Sequence, residues 1–294
     1  MDTNHSYAEC APHDPRPRTP DFTLPDGAWD THAHVCGAIQ TYPLVHNRLY
    51  NPPVASVTDY LHMLDTLGLD RGVLVQPSVY GTDNRAMLDG LAMAAGRLRG
   101  VAVLPFDVSP DEVRHLHQLG IRGVRCNIVD LQEGKGQLPL SGLHQLARTI
   151  APMGWHLEFL MHVNEFPDLR QQLGALPVPL VFGHLGYVPA HLGPCEGMDG
   201  LIELARTGQA WIKMTAPYRL TLDPYPYECV APWAHLLASS VPERLLWGSD
   251  WPHVFIKSAM PNDGDLLDLT ASWLSSSARM QTIWVDNPRS IYGT

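Results

Sequence analysis

The sequence is poor in basic residues, has no closely spaced pair of cysteines and contains no long apolar run. It has 20 lysines and arginines against 30 aspartates and glutamates, so a nucleic-acid surface, which needs clustered cations, is not expected. The five cysteines form no CxxC motif, which is typical of reduced thiols and predicts a cytoplasmic protein. No apolar run approaches the roughly 20 residues of a membrane helix, so no membrane partner is expected.

The ends of the chain differ in composition. Residues 1–26 are polar and proline-rich without an apolar signal core, so they predict an N-terminal arm and not a secretory signal. A single folded domain is expected over residues 27–294, because a chain with 45% hydrophobic residues can bury a large core. The oligomeric state stays open, and a homo-oligomer is compatible with the eight tryptophans, some of which could lie at an interface.

Short apolar segments alternate along the chain with amphipathic stretches of helical length. Such alternation indicates a parallel sheet covered by helices on both faces, and eight units predict a single-domain α/β fold, the (β/α)8 or TIM barrel. No GxGxxG motif or P-loop opens a helix, which disfavours a nucleotide-binding sheet. The predicted strands are residues 28–35, 72–78, 100–106, 123–129, 155–162, 179–185, 210–215 and 245–251; helices are predicted at 57–69, 110–120 and 144–154.

Polar side chains gather at the predicted carboxyl ends of these strands, where barrel enzymes have their active sites. His32 and His34 in WDTHAHVCG are two residues apart, so on a strand they point to the same side. His184 ends the sixth strand. Asp250 ends the eighth, where a charge is costly unless it is paired or functional. These four residues are the predicted catalytic group.

Four further residues are predicted to bind substrate. Arg125 ends the fourth strand and Arg219 follows the seventh, and they could clamp a carboxylate with two hydrogen bonds; the alternative is a structural salt bridge at the rim. His162 is expected on the same strand face as Glu158 and could reach the pocket. His253 follows Asp250 closely and is expected near it.

Four strings resemble the amidohydrolase superfamily, in the branch that contains 2-pyrone-4,6-dicarboxylate lactonase and related sugar-lactone enzymes. They are GVLVQPSVYGTDN (72–84), GIRGVRCN (120–127), FGHLG (182–186) and WGSDWPH (247–253). The resemblance runs from about residue 27 to the end of the chain. It implies a hydrolase that opens the lactone ring of a small carboxylate-bearing substrate, such as a pyrone, muconolactone or sugar-acid lactone. It also implies hydrogen bonds to that substrate from Tyr50 and Ser78.

Two chemical arrangements fit the predicted catalytic group. His32, His34, His184 and Asp250 could hold a Zn²⁺ ion that activates water. Without a metal, the histidines would polarise the lactone carbonyl and Asp250 would deprotonate the water. The resemblance implies that this branch includes metal-independent lactonases, and the chain has no obvious bridging carboxylated-lysine motif. An enzyme that needs no cofactor is therefore favoured over one with zinc or another divalent metal.

Several positions depart from the pattern of the pyrone-dicarboxylate enzymes. Each carries a residue less polar or less cationic than is usual in the relatives, which predicts a substrate with one carboxylate or a more apolar body. The positions are Leu131, Leu160, Tyr187, Val254 and Phe255.

Three other functions remain open. The C-terminal part also resembles a galactarolactone isomerase, but Asp250 replaces an asparagine there and favours hydrolysis, because a carboxylate can act as the base for water. A metal-dependent decarboxylase uses the same barrel and would need a firm metal site. A binding protein built on an inactive barrel would be expected to have lost part of the group, whereas all four residues are present.

Overall fold

The computed structural model describes residues 7–129, 137–274 and 276–293. The described chain forms a (β/α)8 barrel, as predicted. The strands are β1 (Ala8–Glu9), β2 (Trp29–Ala33), β3 (Tyr50–Asn51), β4 (Arg71–Val75), β5 (Leu98–Ala102), β6 (Ile121–Asn127), β7 (His156–Leu160), β8 (Leu180–Phe182), β9 (Ala210–Met214) and β10 (Leu245–Trp247). The α-helices are α1 (Val57–Leu67), α2 (Arg85–Met93), α3 (Pro110–Gln118), α4 (Leu140–Ile150), α5 (Leu169–Leu173), α6 (Glu196–Arg206), α7 (Ala231–Ser240), α8 (Asp263–Leu274), α9 (Ser277–Gln281) and α10 (Asn287–Tyr292).

The eight barrel strands lie in the order β2-β4-β5-β6-β7-β8-β9-β10, and every neighbouring pair is parallel. The first and last strands approach where Ala33 bridges Trp251. Asp30 reinforces this closure, because its carboxylate accepts hydrogen bonds from the Ser249 hydroxyl (2.6 Å) and the Tyr60 hydroxyl (3.0 Å). The sheet is thereby a nearly closed barrel.

The predicted strands and helices all have counterparts in the structure. Three strands that lead to the site end earlier than predicted: β10 ends at Trp247 and not at residue 251, β8 at Phe182 and not at 185, and β7 at Leu160 and not at 162. A short 3-10 turn begins at Val163, so the expectation that His162 continues the strand face of Glu158 is wrong. Among the described residues, no helix is both long enough and apolar enough to cross a membrane.

Apolar side chains fill the barrel interior near the amino-terminal ends of the strands. Trp29, at the start of β2, stacks on Tyr292 of α10 with ring centroids 6.0 Å apart, and the C-terminal helix thus closes the amino-terminal end of the barrel. The interior cluster comprises Trp29, Val73, Val75, Val101, Val181, Trp211, Leu246, Ile291 and Tyr292. Apolar groups dominate this end, although buried His156 at the start of β7 also packs against Tyr292.

The N-terminal segment packs against the barrel along its described length. At its start, β1 pairs in parallel with β3. Further along, Arg18 forms ion pairs with Asp265 and Asp268 of α8. The arm approaches α8 so closely that a Cβ atom at Gly264 would lie 2.1 Å from the Arg18 carbonyl oxygen. The domain boundary at residue 26 stays a prediction.

Gly264→Ala should therefore loosen the arm. Steric overlap of this kind costs about 1–3 kcal/mol, and the arm can relieve it by leaving α8. We expect trypsin to cleave after Arg18 roughly tenfold faster in the variant, measured by mass spectrometry of timed digests. Gly193→Ala is the matched control, because nothing lies within 4 Å of the added atom there. Equal cleavage rates in the two variants would contradict this account of arm packing.

Candidate active site

The four predicted catalytic residues meet at the carboxyl end of the barrel. The rings of His32 and His34 lie 5.0 Å apart, and those of His32 and His184 lie 5.2 Å apart. The Oδ1 atom of Asp250 is 3.5 Å from His32 Nε2 and 3.6 Å from His34 Nε2. All four side chains are buried. Side chains from three separate strand ends thus form one compact group.

Local backbone features make this approach possible. Gly248 lets the chain after β10 pass directly beside β2, because a Cβ atom there would lie 2.7 Å from His32 Cβ. Asp250 has φ +64° and His184 has φ +51°. Both values lie in the left-handed backbone region, which residues other than glycine rarely adopt. The Asp250 amide donates to the His32 carbonyl oxygen (2.8 Å). These turns aim both side chains into the barrel mouth.

The Asp250 carboxylate is fixed through one oxygen. Oδ2 accepts hydrogen bonds from the Tyr218 hydroxyl (2.6 Å) and from Arg219 Nε (2.8 Å). Oδ1 has no hydrogen-bond partner in the described chain. Burial opposes ionisation, but the Arg219 guanidinium holds the pKa of Asp250 well below its usual range. The site therefore holds an ionised carboxylate with one free oxygen facing the histidines.

The three histidines are neutral. Burial lowers the pKa of His32 to about 3, together with the Lys213 charge, and burial lowers the pKa of His34 and His184 as well. His34 Nδ1 lies 2.7 Å from the Val75 carbonyl oxygen, which can only accept. The single ring proton of His34 is therefore on Nδ1, and the lone pair of Nε2 faces Asp250 Oδ1.

Three of the four predicted metal ligands fit a metal ion. One donor atom each from His32, His34 and Asp250 lies within 4.8 Å of the others, and the lone pair of His34 and the free Asp250 oxygen suit a divalent ion such as zinc. His184 is outside this group, and its Nδ1 lies 2.6 Å from Thr215 Oγ1. The structure thus contains a candidate metal site of two imidazoles and one carboxylate.

The ion pair of Lys213 and Glu158 lies against the Nδ1 edge of the His32 ring. Lys213 Nζ on β9 donates to Glu158 Oε2 (2.7 Å) and to the Thr31 carbonyl oxygen (2.7 Å), and it lies 3.2 Å from His32 Nδ1. Lys213 is fully buried and Glu158 is 2% exposed. Burial alone would raise the pKa of Glu158, but the Lys213 ammonium holds it well below its usual range. Neither residue was assigned a role from the sequence.

The predicted substrate-binding residues lie in two groups. Arg219 forms the salt bridge with Asp250 that was the alternative to a carboxylate clamp. Tyr218, which the sequence did not single out, also lies 2.9 Å from His253 Nδ1, and His253 Nε2 is 3.1 Å from Asp263 Oδ1. This chain of contacts runs from Asp250 to the start of α8.

The second group comprises Arg125, Tyr50, Ser78 and His162, which are not part of this chain of contacts. Arg125 donates to the Gln76 carbonyl oxygen (2.7 Å) and is 9% exposed. Burial raises the pKa of Tyr50, while the Arg125 charge and a hydrogen bond with Ser78 oppose that rise. His162 is half-buried, and its Nδ1 lies 2.7 Å from the carbonyl oxygen of Tyr187.

A cavity of about 530 Å³ opens next to the residues that hold Asp250, although Asp250 itself is not part of its lining. Its walls include Tyr218 and Arg219, the two residues that hold the carboxylate, together with Tyr187 and Phe255. The last two are among the positions that depart from the pyrone-dicarboxylate pattern. Of the other departures, Val254 is buried, Leu160 is half-buried and residue 131 lies outside the described residues.

A parallel barrel with a His-x-His pair at the end of its first strand, a histidine after its sixth and an aspartate after its eighth defines a hydrolase of the amidohydrolase type. The amidohydrolase family model matches residues 29–294. The chain belongs to this family.

Relatives of known name are similar over almost the whole chain. A 4-sulfomuconolactone hydrolase of Rhizobium radiobacter is 35% identical, with 92% of each chain covered. A 2-pyrone-4,6-dicarboxylate hydrolase of Comamonas testosteroni is also 35% identical, with 94% of this chain and 93% of the relative covered. A D-galactarolactone isomerase of Agrobacterium fabrum is 28% identical, with 93% of each covered.

Among solved structures, a "probable 2-pyrone-4,6-dicarboxylic acid hydrolase" of Acinetobacter baumannii with citric acid bound has a TM-score of 0.81 and 27% identity, and the match covers 91% of this chain and 100% of that one. The TIM-barrel architecture is therefore shared with solved relatives.

Tyr218→Phe should destabilise the fold without creating a cavity in the core. The variant removes a donor to a buried carboxylate and a hydrogen-bond partner of His253, a loss of about 2 kcal/mol for a bond to a charged group. Chemical denaturation should report this change in the free energy of unfolding. Tyr225→Phe, at a residue that is 48% exposed, should leave stability almost unchanged. Equal stability of both variants would show that the phenol does not hold Asp250.

Proposed function

We propose that this protein is a lactone hydrolase that opens the ring of a small carboxylate-bearing substrate. The observation that carries the proposal is the Asp250 carboxylate, held by one oxygen and free at the other, beside neutral histidines. Such a carboxylate is ionised at neutral pH and has an oxygen placed to accept a proton from water, and because its low pKa makes it a weak base, the reaction also needs the histidines to polarise the carbonyl. The names of the relatives, hydrolases of a muconolactone and of a pyrone, support the same reaction.

The proposed reaction uses the two sides of the site differently. Asp250 Oδ1 accepts a proton from water while the water oxygen bonds to the lactone carbonyl carbon. Neutral imidazoles at His32 and His184 can stabilise the negative charge that develops on the carbonyl oxygen. The ring carbon–oxygen bond then breaks, and the proton passes from Asp250 to the leaving oxygen. Tyr218 and Arg219 keep the carboxylate oriented throughout.

A divalent metal is the alternative means of activating water. His32, His34 and Asp250 would hold it, and the ion would lower the pKa of bound water and polarise the carbonyl. We propose that the reaction proceeds without it. The contacts of Lys213 with His32 support this choice. A metal-dependent decarboxylase, which needs a firm site, is disfavoured for the same reason.

For the substrate, we propose one carboxylate bound on the side of Arg125, with Tyr50 and Ser78 as hydrogen-bonding neighbours. The buried guanidinium of Arg125 can pair with a carboxylate. The cavity next to Arg219 is lined in part by the aromatic rings of Tyr187 and Phe255, which suit an apolar lactone body. His162 and His253 are proposed to act at the margin of this pocket.

Asp250→Asn should nearly abolish lactone opening, because the amide keeps the size of the side chain but cannot take a proton from water. A loss of at least 100-fold in kcat is expected for a positioned general base, measured as release of acid at constant pH. Asp223→Asn is the matched control, since Asp223 is an exposed aspartate in the lining of the nearby cavity. Retention of activity in Asp250→Asn would remove the proposed base.

Substrate choice should follow the number of carboxylates. We expect kcat/KM at least about tenfold higher for a muconolactone with one carboxylate than for 2-pyrone-4,6-dicarboxylate, because an unpaired second charge costs more than the 1.4 kcal/mol that corresponds to tenfold. Steady-state kinetics on both lactones measure the ratio. A ratio below one would contradict the proposed single-carboxylate pocket.

The isomerase alternative has support from the D-galactarolactone isomerase relative, and isotope labelling separates the two reactions. Hydrolysis in H₂¹⁸O places one heavy oxygen in the ring-opened acid, whereas isomerisation gives a lactone of unchanged mass. Mass spectrometry of the product decides between them.

A further inference from the structure

The surroundings of Lys213 suggest a role beyond neutralising Glu158. An ammonium group has three N–H donors and no acceptor, and three acceptor atoms lie around Nζ: the Thr31 carbonyl oxygen, Glu158 Oε2 and His32 Nδ1, at 2.7, 2.7 and 3.2 Å. A buried donor without a partner is costly. The arrangement satisfies all three donors only if His32 Nδ1 accepts.

The opposite edge of the His32 ring points to the same protonation. Nε2 faces Asp250 Oδ1 at 3.5 Å, and an ionised carboxylate oxygen can only accept. If Nδ1 accepts from Lys213, the ring is neutral and its one proton is on Nε2, on the side that faces the carboxylate. Glu158 Oε1, 3.1 Å from Nδ1, favours the other tautomer, but the charge of Glu158 is already paired with Lys213.

We propose that Lys213 is a positioning residue that keeps the proton of His32 on Nε2, the nitrogen that faces the reaction site. His34 has the reverse arrangement, since its proton is on Nδ1 toward Val75 and its Nε2 is an acceptor. The His-x-His pair thus presents one donor and one acceptor. The catalytic roles that follow rest on the proposed function. His32 would donate to the lactone carbonyl oxygen, and His34 and Asp250 would each accept a hydrogen bond from one of the two protons of the attacking water.

The same contact works against a metal. A metal ion needs the lone pair of His32 Nε2, so the proton must move to Nδ1, where the Lys213 ammonium already donates. Outer-shell partners of metal ligands typically change metal affinity by 10- to 100-fold. Lys213 should therefore weaken zinc binding at His32, His34 and Asp250, whereas Glu158 Oε1, which can accept from Nδ1, would strengthen it once the lysine is removed.

The tautomer can be measured directly in the wild-type protein. In protein labelled with ¹⁵N-histidine, the two ring nitrogens of His32 have distinct chemical shifts according to which one carries the proton, and their signals are assigned by their loss in His32→Asn. We expect a protonated Nε2 and an unprotonated Nδ1. A proton on Nδ1 would overturn the proposal. No substrate is needed, so absence of lactone hydrolysis together with a protonated Nε2 would reject the proposed function and leave the tautomer assignment standing.

Variants test the cause. Lys213→Met should move the His32 proton toward Nδ1, tighten binding of zinc chloride by at least about tenfold in calorimetry, and lower kcat by about 100-fold with KM little changed. Glu158→Gln is the matched control, because it removes the other charge but keeps the lysine donor, and its His32 tautomer should be that of the wild type. The double variant Lys213→Met with Glu158→Gln avoids an unpaired buried charge and should resemble Lys213→Met. An unchanged tautomer in both lysine variants would contradict the role of Lys213.

Discussion

The buried negative charge of Asp250 is the constraint on which the rest of the site depends. Removing a carboxylate from water costs several kcal/mol, and this cost must be offset where the charge is used. Arg219 and Tyr218 supply the compensating bonds at Oδ2, and Oδ1 remains free for chemistry. The left-handed backbone at Asp250 and the close passage at Gly248 are needed to place the carboxylate against the histidines.

A second buried ion pair lies on the far side of the same histidine. His32 contacts Asp250 through Nε2 and the Glu158–Lys213 pair through Nδ1. One ring therefore connects two ion pairs within the barrel, and its single proton can serve only one of them. In the proposed arrangement Lys213 keeps this proton on Nε2. A charged residue that touches no substrate thereby makes His32 a hydrogen-bond donor to the site and not a metal ligand.

Much of the architecture could be predicted from the sequence, because apolar strands and amphipathic helices leave regular patterns. The strand-end rule also placed His32, His34, His184 and Asp250 together. The partners of Asp250 were not predicted as such: Tyr218 lies in a short turn after β9, and its direction depends on the loop path. His162 turns toward Tyr187 because β7 ends early. Lys213 and Glu158 were visible as charges in apolar strands, but their pairing depends on register between non-neighbouring strands.

The most direct test of the account is lactone-opening activity in protein whose metal content is measured at the same time, before and after treatment with a chelator. An ionised Asp250 acting with a donor at His32 predicts full activity at far less than one metal ion per chain, unchanged by chelation. Activity that rises with bound metal to about one ion per chain, and is lost on its removal, would contradict the account and make the same residues metal ligands.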